Sequence, residues 1–168
     1  MIIRTEVPAD HRAVFDVQAR AFGRTEEAEL VDVLRPIAQP QISLVAESGA
    51  RVVGHIFFSP VFIDGTESWI ALGLAPLAVA PEFQNRGIGS ELVRAGLRAC
   101  GGVGHALVFV LGHTNYYPRF GFQSARVHGL RYEQALPDED AFMVIELSPG
   151  ALAGRTGVVR YLPEFSRV

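Results

Sequence analysis

Leu77-Ala78-Val79-Ala80-Pro81-Glu82-Phe83-Gln84-Asn85-Arg86-Gly87-Ile88-Gly89-Ser90 leads from an apolar segment through proline and glycine punctuation into a helical pattern. From Ile88 to Cys100 the apolar Ile88, Leu92, Val93, Gly96 and Leu97 share one side, and Glu91, Arg94 and Arg98 share the other. Gly101-Gly102 is expected to stop that helix. A strand, a glycine-containing loop and a helix in this order aim the unpaired N–H groups of the first helical turn outward, where a phosphate or pyrophosphate is favourably held. Gly87 and Gly89 allow close approach to that backbone. By itself a Gly-x-Gly is weak evidence, and an unliganded strand-to-helix turn is the plain alternative.

Upstream, Trp69 to Val79 is apolar on both alternations, as expected of a strand buried on both faces. Gly73 and Pro76 spoil its regularity, and a bulge or a parting from a neighbour is expected near Pro76. Ser43 to Glu47 and Arg51 to Ile63 read as a hairpin about Ser48-Gly49-Ala50, with Asp64-Gly65 marking the next turn. Ile2-Ile3-Arg4 reads as a first strand. Two helices follow it, one entered at Pro8-Ala9-Asp10 and closed at Phe22-Gly23, the other capped by Thr25 and ended by Pro36. Downstream, Leu107 to Leu111 is a buried strand and Asn115 to Arg119 about one helical turn. Ala141 to Leu147 and Gly157 to Tyr161 are late strands.

The 168 residues are read as one domain, 1–168. No apolar run approaches the roughly 20 residues of a membrane helix, and the N-terminus lacks the blocks of a signal peptide, so a soluble cytoplasmic protein is expected. All 15 basic residues are arginine. With no lysine, neither a P-loop nor Schiff-base chemistry is available. A formal charge of -3 without a basic tract argues against nucleic-acid binding. Cys100 is the single cysteine, which excludes an internal disulfide and a multi-cysteine metal site, and no histidine falls into metal spacing with carboxylates.

Gln84-x-x-Gly87-x-Gly89 after Leu77 to Glu82 resembles the acetyl-CoA signature of the GNAT superfamily of N-acetyltransferases, Gln/Arg-x-x-Gly-x-Gly/Ala. Tyr116-Tyr117-Pro118-Arg119-Phe120-Gly121-Phe122 resembles the family's Tyr-x-x-x-Gly-Phe segment after the fifth strand. Both stand in the family's order. Val53-Gly54-His55-Ile56 and Leu111-Gly112 resemble the YhbS-like bacterial group, and the likeness covers nearly the whole chain. It implies a mixed, mostly antiparallel α/β sheet flanked by helices, with strands four and five splayed to admit acetyl-CoA. It further implies that Gln84, Asn85, Arg86, Gly87, Ile88, Gly89 and Ser90 hold the pyrophosphate, and that Leu77, Ala78 and Val79 hold the pantetheine and thioester. The family's general acid falls on Tyr117, its hydroxyl near the CoA sulfur. With a thiol near ~8.5 and a tyrosine near ~10, giving that proton to the thiolate is uphill by about 2 kcal/mol.

The acceptor half is less legible. A lysine-like amine is neutral in only about one molecule in two thousand at pH 7, so shedding its proton costs roughly 4.6 kcal/mol. Family members often use a glutamate on strand four or a water, but here that strand offers only Glu67 at its start. His55 and His113 are candidates, each with a packed or solvated alternative, and the base stays unassigned. The expected partner is a small-molecule or peptide amine, with no metal cofactor, and the protein is a monomer or homodimer. A CoA-binding sensor without catalysis is the alternative. A dinucleotide oxidoreductase is disfavoured because Gly87-Ile88-Gly89 lacks the third glycine in frame and lies mid-chain.

Overall fold

The longest strand organises the rest. Arg51 to Ile63 (β3) is buried almost without a break, because layers cover it on both faces. The computed structural model of the protein describes residues 1–64 and 70–168. Among the described residues nine strands form one sheet: β1 Ile2–Thr5, β2 Ile42–Ser48, β3, β4 Ile70–Val79, β5 Leu107–Leu111, β6 Gln123–Ser124, β7 Leu130–Tyr132, β8 Phe142–Glu146 and β9 Gly157–Arg160. Their main order is β1-β2-β3-β4-β5-β8-β6, and β9 pairs with β3 and with β7. The pairing is antiparallel except for β4–β5 and β7–β9.

The α-helices of the described residues cover the sheet: α1 His11–Phe22, α2 Glu26–Ile37 and α3 Ile88–Gly102. On one face, α3 packs its Ile88, Leu92, Val93, Leu97 and Cys100 against Leu44, Ile56, Phe58, Leu72 and Leu74. On the other face, Val14 of α1 and Leu30, Val31 and Leu34 of α2 pack against Val45 and Phe57. Gly96 permits the α3 contact, since a Cβ there would lie 2.4 Å from Phe58 Cε2.

The helix ends differ slightly from expectation. Pro36 lies within the last turn of α2, and the helix ends at Ile37. A proline removes one hydrogen bond there, and Gln41 Nε2 meets the carbonyls of Arg35 and Ala38 at 2.7 and 2.8 Å. The Thr25 hydroxyl donates to Glu29 Oε1 at 2.9 Å instead of capping the backbone.

The expected irregularity at Pro76 is present. Ile56 pairs with Leu77 but Phe58 pairs with Leu74, so Ala75 and Pro76 together oppose Phe57. This bulge changes which alternation faces α3: Leu72 and Leu74 do so before it, Leu77 and Val79 after it. The β4–β5 pairing stops early. The two strands meet only at Leu72–Val108 and Gly73–Phe109, after which β4 follows β3 and β5 follows β8. A V-shaped gap therefore opens between Leu74–Val79 and Val110–Leu111.

Candidate active site

A cleft of about 990 Å³ occupies this gap. It is lined by Leu77 and Val79 of β4, by Gln84, Asn85, Gly87, Ile88, Gly89 and Ser90 of the loop and helix start, and by Tyr116 and Tyr117 after β5. Thus nine of the expected site residues, Tyr117 among them, come together. Ala78 and Arg86 do not present side chains to it. Strand alternation turns Ala78 to the opposite face, where it packs near Val17 and Ala80, and Arg86 lies over the Phe83 ring at 5.4 Å. Arg94 and Arg98 border a separate depression with Ile3 and Glu91.

Backbone geometry sets the donors. Ala80 N–H reaches the Val53 carbonyl at 2.8 Å, and Ala78 lies opposite His55. By alternation along an antiparallel ladder, Leu77 and Val79 turn their N–H and C=O groups away from β3, toward the gap. The Val79 carbonyl so exposed accepts from Gln84 Nε2 at 2.9 Å, which ties the loop to the strand. Asn85 and Gly87 both have positive φ, 60° and 83°, and swing the chain into α3. The N–H groups of Gly87, Ile88, Gly89 and Ser90 find no acceptor among the described residues. Four donors at the positive end of a 15-residue helix make a site for an anion. Gly89 keeps the approach open, because a Cβ there would sit 3.2 Å from the Tyr116 hydroxyl.

The aromatic wall is closely packed. Tyr116 bonds Ser90 Oγ through its hydroxyl at 3.2 Å and packs edge-on against Tyr117, centroids 5.0 Å apart. Tyr117 is 8% exposed, held edge-on by Phe122 as well, and its hydroxyl makes no hydrogen bond among the described residues. Burial, with Tyr116 alongside, pushes its pKa well above the ordinary phenol value. It therefore stays protonated as a neutral donor throughout the physiological range.

His55 is not in this cleft. It is fully buried, with Nδ1 2.8 Å from Gln18 Nε2 and Nε2 2.8 Å from Ser43 Oγ. Ser43 in turn donates to Glu6, which Arg35 also holds. Burial lowers the His55 pKa against the opposing pull of Glu6. It is a packed, neutral hydrogen-bonding residue and is ruled out as the base. His113 lines the cleft and is exposed. Glu67 and Trp69 lie outside the described residues. Sequence reading missed Phe22, Glu27, Leu30 and Phe165, which complete the cleft from the α1–α2 face. No local pattern marks them, since only the tertiary fold brings them to the cleft that Tyr117 also lines. Among the described residues no three His, Cys, Asp or Glu side chains are placed to hold a metal, and no helix is long and apolar enough to cross a membrane.

A parted β4–β5 pair, with a helix N-terminus at one side and a buried tyrosine at the other, defines an acetyltransferase fold of the GNAT type. The chain belongs to this family: the model for the acetyltransferase (GNAT) domain matches residues 3–125. Over 169 residues it is 38% identical to YhbS of Escherichia coli K12, described as an uncharacterised N-acetyltransferase, with 99% of each chain covered. YjhQ of the same organism, described likewise, is 42% identical over 118 residues, 68% of this chain and 65% of its own. Among solved structures, E. coli YhbS in complex with CoA superposes with a TM-score of 0.90 at 36% identity, covering 98% of this chain and 91% of its own. A GNAT family acetyltransferase from Brucella melitensis in complex with acetyl-CoA gives 0.79 at 36% identity, covering 98% and 97%.

Proposed function

We propose that this protein, as one N-acetyltransferase domain in the cytoplasm, moves the acetyl group of acetyl-CoA to a primary amine by direct attack. The observation that carries the reading is the run of free N–H groups from Gly87 to Ser90, opening into the same cleft as the Tyr117 hydroxyl. The pyrophosphate lies on the backbone of Gln84 to Ser90. The cleft volume of about 990 Å³ stands at the upper end of the roughly 300–1,000 Å³ usual for ligand pockets, which suits an extended donor. The thioester lies beside Leu77 to Val79, where an N–H aimed into the gap stabilises the oxyanion that develops on its carbonyl oxygen.

The amine lone pair attacks the thioester carbon, the C–S bond breaks, and the electron pair passes to sulfur. Tyr117 gives its hydroxyl proton to that thiolate. Its raised pKa makes this more uphill than for a free tyrosine, but the same apolar surroundings disfavour the thiolate, which offsets part of the difference. The ammonium proton leaves to solvent or to a base.

The test is a thiol-release assay with acetyl-CoA and a panel of amines, run beside calorimetric titration of CoA. Accelerated release with at least one amine is the expected result. Tight CoA binding with no release above the hydrolytic background would instead make this a CoA sensor.

A further inference from the structure

The cleft passes between two strands, so its walls come from both faces of the sheet. The α1–α2 face contributes Phe22, Glu27, Leu30 and Phe165, a mostly apolar surface with one charged side chain. Phe22 is 43% exposed at the end of α1, an apolar ring at the mouth of the cleft without full cover. Glu27 is only 5% exposed and carries the single acidic side chain lining the cleft among the described residues.

Arg24 fixes the direction of that carboxylate. Its Nε lies 3.1 Å from both Oε1 and Oε2, and its Nη2 donates to Oε1. A carboxylate has about four lone-pair sites. Arg24 engages Oε1 twice and shares one N–H with Oε2, so Oε2 retains acceptor capacity. The guanidinium is half exposed and its charge is screened by water, whereas the carboxylate is buried in the cleft wall. The pair thus sets Glu27, and not the guanidinium of Arg24, on the cleft lining.

We infer that Glu27 recognises the acceptor, and that the acceptor is a monoamine whose ammonium meets Oε2 while an apolar, ring-sized body lies against Phe22, Leu30 and Phe165. This rests on the reading that the cleft transfers to an amine. One acidic side chain among Phe22, Leu30 and Phe165 does not match a polyamine, whose further charges would lie against apolar surface. A free amino acid is also poorly matched, since its own carboxylate would sit near that of Glu27. Glu27 acts here as a recognition residue; it sits on α2, and the described part of β4 offers no acid of its own.

The experiment titrates 2-phenylethylamine, 2-phenylethanol, phenylalanine and spermidine into the CoA-saturated protein by calorimetry, and assays the three amines for thiol release from acetyl-CoA. The wild-type protein is expected to bind 2-phenylethylamine at least tenfold more tightly than the isosteric 2-phenylethanol, a difference that needs no mutant and reads charge alone. In Glu27→Gln that preference disappears while CoA affinity is retained. Equal binding of amine and alcohol by the wild type, an undiminished preference in Glu27→Gln, or tighter binding of spermidine or phenylalanine overturns the inference. Thiol release with spermidine or phenylalanine alone overturns it but leaves amine transfer standing. Selective binding of 2-phenylethylamine with no release by any amine supports the recognition site and sinks the transfer reading instead.

Discussion

Gly112 and Tyr117 are in such close contact that a Cβ on Gly112 would stand 2.4 Å from Tyr117 Cε2. The missing side chain lets the edge of the ring press against the chain just after β5, and Tyr117 lines the cleft there. Gly112→Ala should displace the ring and lower kcat by about 10- to 100-fold, because small misplacements of a reacting group are costly. Tyr117→Phe keeps the packing and removes only the hydroxyl, and should lower kcat by about 100-fold. Steady-state kinetics with CoA titration checks both. CoA affinity should hold in each, and an unchanged kcat in Tyr117→Phe would falsify the general-acid role.

Gly89 faces the Tyr116 hydroxyl across the loop, and a Cβ there would also lie 3.8 Å from Val79 Cγ2. Gly89→Val should crowd the approach to the free N–H groups and weaken acetyl-CoA binding by about tenfold or more, equivalent to ~1.4 kcal/mol. Calorimetry reads the affinity and a thermal melt reads the fold. A loss of Tm without loss of affinity would count against the loop as the donor site.

The buried chain Gln18–His55–Ser43–Glu6–Arg35 predicts acid sensitivity of the fold. Burial alone would raise the Glu6 carboxyl, but the nearby His55, with Nε2 3.7 Å away, and hydrogen bonds from Arg35 and Ser43 bring it down to about 2. A depressed carboxylate contributes stability that is present above its unfolded value, near ~4.5, and is lost as pH falls toward 2. The depressed His55 also binds its proton more readily when unfolded, so its contribution is present above about pH 6.5 and begins to fade below it. Stability should be level above pH 7 and then fall by up to ~1.4 kcal/mol per pH unit for each group engaged. Urea midpoints from pH 8 to 3 check this. His55→Gln should flatten the part between pH 6.5 and 5 while leaving the lower limb, and an unchanged upper limb would assign it elsewhere.

Cys100 lies on the buried side of α3, fully covered, and burial raises its thiol to about 12. A thiol so protonated and hidden should not react with a disulfide reagent in the native protein and should react once, stoichiometrically, in denaturant. Rapid native labelling would contradict its placement. The same inertness leaves thiol-release assays free of background from the protein.

Much of this was legible from local pattern. The Val79-to-Ser90 order of strand, loop and helix, the amphipathic α3 and the Gly49-Ala50 hairpin each follow from spacing or backbone preference, and each is present. Pro76 announced a break in β4. What it did not announce was the change of alternation, because Leu74 and Leu77 read equally well as apolar neighbours on two faces; only the pairing of Phe57 against two residues settles which face each takes. The short β6 and β7 were missed because two or three residues carry no period. His55 and Glu27 were illegible in opposite ways. One looked chemical and is packed out of reach, while the other, in the first turn of α2, carries no local mark and lines the cleft.

The sequence by itself determined the family and the helix that presents free N–H groups, since each depends on residues adjacent along the chain, and it pointed to Tyr117, which the fold brings to the same cleft. The tertiary structure alone decided the second wall of the cleft. That wall joins α1, α2 and the C-terminal Phe165 to a gap between β4 and β5, and long-range packing has no signature in local spacing. The gap itself is the physical reason the two halves meet: where two strands stop bonding, a passage opens through the sheet, and residues of both faces share one cavity.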